Sequence, residues 1–149
     1  MSEKKDNSGN KISRIRDKIS ELTEYLNYLV SITPADFEDY QNDLKTKAAC
    51  EHYFEKVMEA CIDLSFLIIK EKKFEIPDDE ESAFNILLKH LVISGNLAKR
   101  LISDKGMRNV IAHEYGEVDD IRVYTSLTEE IEKDVDEFIK SVEEYLKLK

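Results

Sequence analysis

Apolar residues recur along this chain at helical intervals. Ile12, Ile15, Ile19, Leu22, Leu26 and Leu29 fall three or four apart, the stripe of a helix with one buried side. It stops near residues 31–34, where Thr33 is placed to cap the next helix and Pro34 to open it. A second, long helix is predicted over about 34–70. Residues 60–69 are apolar nearly all round and should be the buried centre. Charges then crowd residues 71–81 around Pro77, a connection. A third helix is predicted on Phe84, Leu87, Leu88, Leu91, Gly95, Ala98, Leu101 and Ile102, with Gly106 as its break. The last carries Ile121, Tyr124, Ile131, Val135, Phe138, Val142 and Tyr145, with Asp119 or Asp120 as cap. No stretch alternates as a strand would, and no repeat is visible. The pattern predicts an all-α, up-and-down bundle of four main helices plus a short one.

With 149 residues, the chain is predicted to form one domain over 12–149, preceded by a flexible polar tail over 1–11. Apolar residues make up 42% and charged residues 36%, which favours an ordered, helix-rich protein over a disordered one. The longest uncharged stretch, 25–35, contains Tyr25 to Ala35 and is far short of the roughly 20 apolar residues that cross a bilayer. The polar N-terminus has no apolar core of a secretory signal. Cys50 and Cys61 lie eleven residues apart, roughly 16 Å along a helix, too far to bond to each other. Two free thiols suit a reducing cytoplasm, and small buried residues are the plain reading of both. Twenty-two basic against 32 acidic residues leave a charge of −10. That argues against a broad nucleic-acid groove but not against a small basic site.

The common templates for catalysis fail. No Glu-x-x-His pair of a di-iron bundle occurs, and the nearest arrangement, His52 with Glu55, falls among Glu and Lys on a solvated face. No Cys/His spacing fits zinc, and no Gly-rich phosphate loop or nucleophile elbow is present. No metal or cofactor is therefore expected. Glu59 and Asp63 stand out, four apart in the most apolar helix. They call for a cation or a donor, and an arginine or the backbone of residues 106–116 is the natural partner. Orienting a neighbouring helix or supporting a site both fit them.

Residues 106–117 place Arg108, Asn109, His113 and Tyr115 between Gly106 and Gly116. Taken alone, Arg108 and His113 fit helix-end charges and Tyr115 a core ring with a wet hydroxyl. In an ideal helix Arg108 and His113 stand about 140° apart, so one pocket requires the helix to end or bend. Lys99, Arg100, Lys105 and Arg122 are the further basic residues that could form a local patch.

The stretch has the form R-x4-H-x-Y with a polar second position, and in this it resembles the signature of HEPN domains. The tyrosine variant resembles the HepT toxin branch, encoded beside a minimal nucleotidyltransferase (MNT). The likeness extends to the N-terminal stripe ending in Glu24, Tyr25 and Leu26, and to the long helix with Glu59 and Asp63. It includes the helix of Phe84, Leu87 and Val92 and the final segment with Asp119, Val123 and Tyr124. It spans roughly residues 12–146.

The resemblance implies a metal-independent endoribonuclease toxin whose two-fold dimer brings both motifs to one cleft. His113, with an ordinary pKa of about 6.5, would act as base or acid. Arg108 would stabilise charge growing on the phosphate, and Asn109 would orient phosphate or histidine. Glu59 and Asp63 would support. Attack by the adjacent 2′-hydroxyl would leave a 2′,3′-cyclic phosphate and spare DNA. The resemblance further implies that an MNT antitoxin neutralises the toxin by AMPylation of Tyr115, which otherwise packs or stacks on RNA. RNA, a second copy and the antitoxin are the implied partners, in the cytoplasm and away from membranes. The alternative is a non-catalytic dimeric HEPN module that binds nucleotide or a nucleotidyltransferase.

Overall fold

The computed structural model describes residues 2–113 and 117–148, with side chains over 12–111 and 119–148. The described residues are helical almost throughout and contain no strand, in agreement with the predicted all-α class. Helix α1 is Ser2–Ile32. Its backbone is helical over residues 2–11, where the sequence suggested a tail. Ile15, Leu22, Leu26 and Leu29 are buried as their spacing requires. Thr33 does not cap the next helix. Its hydroxyl donates back to the Leu29 carbonyl at 2.6 Å and closes α1.

The predicted second helix is two. α2 is Phe37–Asn42 and α3 is Leu44–Lys72. Asp43 divides them because its carboxylate accepts the amides of Lys45 at 3.1 Å and Thr46 at 3.3 Å. An aspartate that caps cannot also continue the preceding helix. α3 is the centre of the bundle: Phe54, Val57, Met58, Cys61, Leu64 and Ile68 are fully buried on it. Beyond it, Lys73 in the left-handed region (φ 56°) lets the Phe74 amide reach back to the Ile69 carbonyl at 3.0 Å.

The predicted third helix is also two, α4 over Glu80–Lys89 and α5 over Gly95–His113. α4 opens on a reciprocal cap. Asp79 accepts the Ser82 amide at 2.7 Å, and the Ser82 hydroxyl accepts the Asp79 amide at 3.0 Å. It ends where Leu91 turns left-handed (φ 61°) and points out to solvent, so Leu91 leaves the stripe to which its spacing assigned it.

The last run is α6, Glu117–Thr125, then a π turn over Ser126–Glu130, then α7, Ile131–Leu146. Asp119 and Asp120 lie inside α6 rather than capping it, and Asp120 pairs with Lys47 of α3 at 2.8 Å. Ile121 is exposed. The buried stripe is Val123, Leu127, Ile131, Val135, Phe138 and Val142. Three successive four-residue steps would carry that stripe about 120° round a regular helix. The one extra residue of the π turn returns about 100° of it and keeps the stripe on the core. Tyr124 fixes the start of this run by donating to the Pro34 carbonyl at 2.7 Å, beside Phe37 and Tyr40.

Candidate active site

Arg108 and His113 lie on α5, a continuous helix of 19 residues, rather than on a separate short one. Gly106 does not break it. A Cβ there would meet nothing within 4 Å, and an exposed helical glycine costs only about 1 kcal/mol relative to alanine. Leu97, Leu101 and Met107 turn one face of α5 into the core, while Asn109 is exposed. The Ser94 hydroxyl accepts the Leu97 amide at 3.1 Å and fixes the start of the helix.

Arg108 stands where α3, α4 and α5 meet. Its guanidinium reaches the Glu80 carboxylate of α4 at 3.4 Å and Glu55 of α3 at 3.8 Å. Glu59 and Asp63, for which an arginine or the backbone of residues 106–116 was the natural partner, meet lysines instead: Glu59 faces Lys56 at 3.6 Å and Asp63 faces Lys18 at 3.5 Å. Both are substantially exposed, which removes the need for a compensating arginine. Glu55, one turn before Glu59, occupies the position the sequence assigned to that pair. His113 ends α5, and its side chain lies outside the described residues, as does all of Tyr115.

The expected basic patch is smaller than the sequence suggests. Arg100 turns toward α7 and donates to Asp134 at 2.6 Å and to Glu137 at 2.8 and 2.9 Å. Lys105 lies near Asp79, whose carboxyl is held low chiefly by its bonds from Ser82 and further by the lysine charge. Lys99 and Arg122 are exposed.

Behind Arg108, one turn back on α5, Asp104 is buried against Asp134, and its second carboxylate oxygen has no partner among the described residues. Burial first, then the bond and charge of Asp134, push the Asp104 carboxyl far up. Sequence reasoning passed over this pair, although both acids fall on apolar stripes: Leu101, Asp104, Met107 and Ile131, Asp134, Phe138. Among the described residues no three His, Cys, Asp or Glu side chains converge as a metal's ligands would.

This arrangement of helices around α3 is shared by known proteins. A family model described as ribonuclease HepT-like matches residues 15–142. The chain belongs to the ribonuclease HepT-like family. This HepT-like chain is 24% identical over 114 residues to the tRNA nuclease HepT of Aphanizomenon flos-aquae, across 76% of its own length and 78% of that protein. It is 25% identical over 83 residues to the mRNA nuclease HepT of Shewanella oneidensis, across 56% and 62% of the two chains. Its fold resembles the tri-AMPylated Shewanella oneidensis HEPN toxin solved in complex with an MNT antitoxin. The TM-score is 0.79 at 22% identity, covering 87% of this chain and 96% of that one. Bacillus subtilis YutE, a cytosolic protein of unknown function, has the same fold with a TM-score of 0.71 at 16% identity, covering 89% and 90%.

Proposed function

We propose that this HepT-like chain is a metal-independent endoribonuclease toxin that acts as a homodimer in the cytoplasm and is silenced by an MNT antitoxin. The observation that carries the reading is the setting of Arg108. It is offered at a three-helix junction, loosely held by partly exposed glutamates, five residues before His113 on the same helix. The names of the relatives, tRNA nuclease and mRNA nuclease, supply the substrate class.

The chemistry follows from those two side chains. His113 takes the proton of a ribose 2′-hydroxyl, whose oxygen attacks the neighbouring phosphorus, and the 5′-oxygen leaves with a proton from an acid. Arg108 compensates the charge that accumulates on the phosphate oxygens, with Asn109 beside it to orient phosphate or imidazole. Positions five apart on one helix stand about 140° from each other around its axis. A two-fold pairing answers that divergence by bringing two copies of each residue to one cleft. Tyr115, two residues beyond His113, is the acceptor of AMP. An added nucleotide fills the cleft and brings negative charge to it.

Purified protein should cleave bulk tRNA or mRNA in EDTA. Arg108→Ala and His113→Ala should each lower the rate about 100-fold or more without changing the thermal melt. Wild-type protein inert toward both RNAs would refute the nuclease. With the nucleotidyltransferase and ATP, the mass of the wild type should rise by one or more AMP units. Tyr115→Phe should abolish that gain; an undiminished gain would remove Tyr115 as acceptor.

A further inference from the structure

Helix α5 holds two arginines in contrasting ways. Arg100 is locked, with three contacts of 2.6, 2.8 and 2.9 Å to Asp134 and Glu137, the lengths of strong charge-assisted bonds. Arg108, about two turns further on, is held at 3.4 and 3.5 Å by the two oxygens of Glu80 and at 3.8 Å by Glu55. These separations exceed the usual charge-assisted length by about half an ångström or more. The side chains of Glu80 and Glu55 are 47% and 54% exposed, whereas Arg108 is 23% exposed. Glutamates placed so are free to swing into water, and arginine is not. Such pairs in solvent contribute little, and a phosphate that meets the planar guanidinium with two oxygens at short range binds it better.

We propose that Glu55 and Glu80 are a built-in competitor for RNA: they occupy Arg108 in the free chain and must be displaced by a substrate phosphate. The proposal rests on the nuclease reading above and adds a determinant of its specificity. One guanidinium between two carboxylates leaves a net negative site, so a polyanion gains nothing from approaching it unless a phosphate seats correctly on Arg108. A chain already carrying −10 thereby rejects nonspecific RNA and retains only RNA whose shape delivers that phosphate.

The test measures binding of labelled bulk tRNA by fluorescence anisotropy in a His113→Ala background, which leaves the RNA whole. Glu80→Gln and Glu55→Gln should each tighten binding about two- to fivefold, and the gain should vanish when Arg108→Ala is added. Glutamine keeps the length and polarity of glutamate, and both sites are partly exposed, so two independent variants report on a folded protein. Tightening that survives in Arg108→Ala would mean general repulsion, and unchanged or weaker binding would mean that the glutamates position Arg108 instead. Either result overturns the competitor. Failure of the nuclease reading looks different: wild type cuts no RNA in EDTA and Arg108→Ala changes neither binding nor cleavage.

Discussion

Two carboxyl groups, those of Asp104 and Asp134, face each other in the interior, and of the two only Asp134 is bonded to Arg100. Two buried anions against one cation are costly, so Asp104 keeps its proton, and its carboxyl is pushed up to about 9 by burial and by Asp134. In the unfolded chain it titrates near an ordinary value of about 3.9. Between about pH 4 and about pH 9 the native state therefore holds a proton that the unfolded state lacks, and stability falls as pH rises through that window. The slope approaches ~1.4 kcal/mol per pH unit and flattens above the folded value. Asp104→Asn keeps a donor to Asp134 without the titration. Its stability in urea melts should overtake the wild type increasingly from about pH 6 to about pH 9. A difference between the two proteins that does not grow with pH would show that Asp104 is not the proton holder. The same residue marks a limit of sequence reading. Arg108, Asn109 and His113 could be proposed from the sequence because the motif is contiguous, but Glu55 and Glu80 could not, since only the packing of α3 and α4 brings them to α5. The sequence pointed to Glu59 and Asp63 by periodicity, and periodicity does not say which turn of a helix meets a neighbour.

Helices were legible wherever a stripe of apolar residues recurs, and their interruptions were not. Asp43 and Asp79 look like ordinary surface aspartates until their carboxylates are seen on backbone amides. Leu91 adopts a left-handed backbone that leucine seldom takes, and Gly106 sits in a helix it was expected to break. The π turn of Ser126–Glu130 left a trace, the unbroken four-residue spacing from Val123 to Val135. Deleting the exposed Thr128 should turn that segment into regular α-helix and rotate α6 against α7 by about 100°. Either Val123 and Leu127 or the α7 stripe then leaves the core. The deletion should lower the melting temperature far more than Thr128→Ala, which only removes a hydroxyl bonded to the Tyr124 carbonyl at 2.9 Å. Equal melting temperatures would show that the turn carries no register.

Taken whole, the molecule is a bundle organised on α3, with the arginine site on its flank and a net charge of −10. No helix among the described residues is long and apolar enough to cross a membrane. Acidity suits the selection of one RNA geometry proposed above over general polyanion binding, and it suits a partner that brings positive charge. The burial of both cysteines gives the bundle a further property. Cys50 and Cys61 are free and fully covered, and burial raises both thiols above their ordinary range. At neutral pH neither is a thiolate within reach of an alkylating reagent. Each labelling event therefore waits for the chain to open. Cys61, in the middle of the central helix, times excursions of the whole bundle, and Cys50, beside Thr33 where α1 ends, times smaller ones. The protein thus carries two intrinsic clocks for its own breathing, readable by mass spectrometry with no label engineered in.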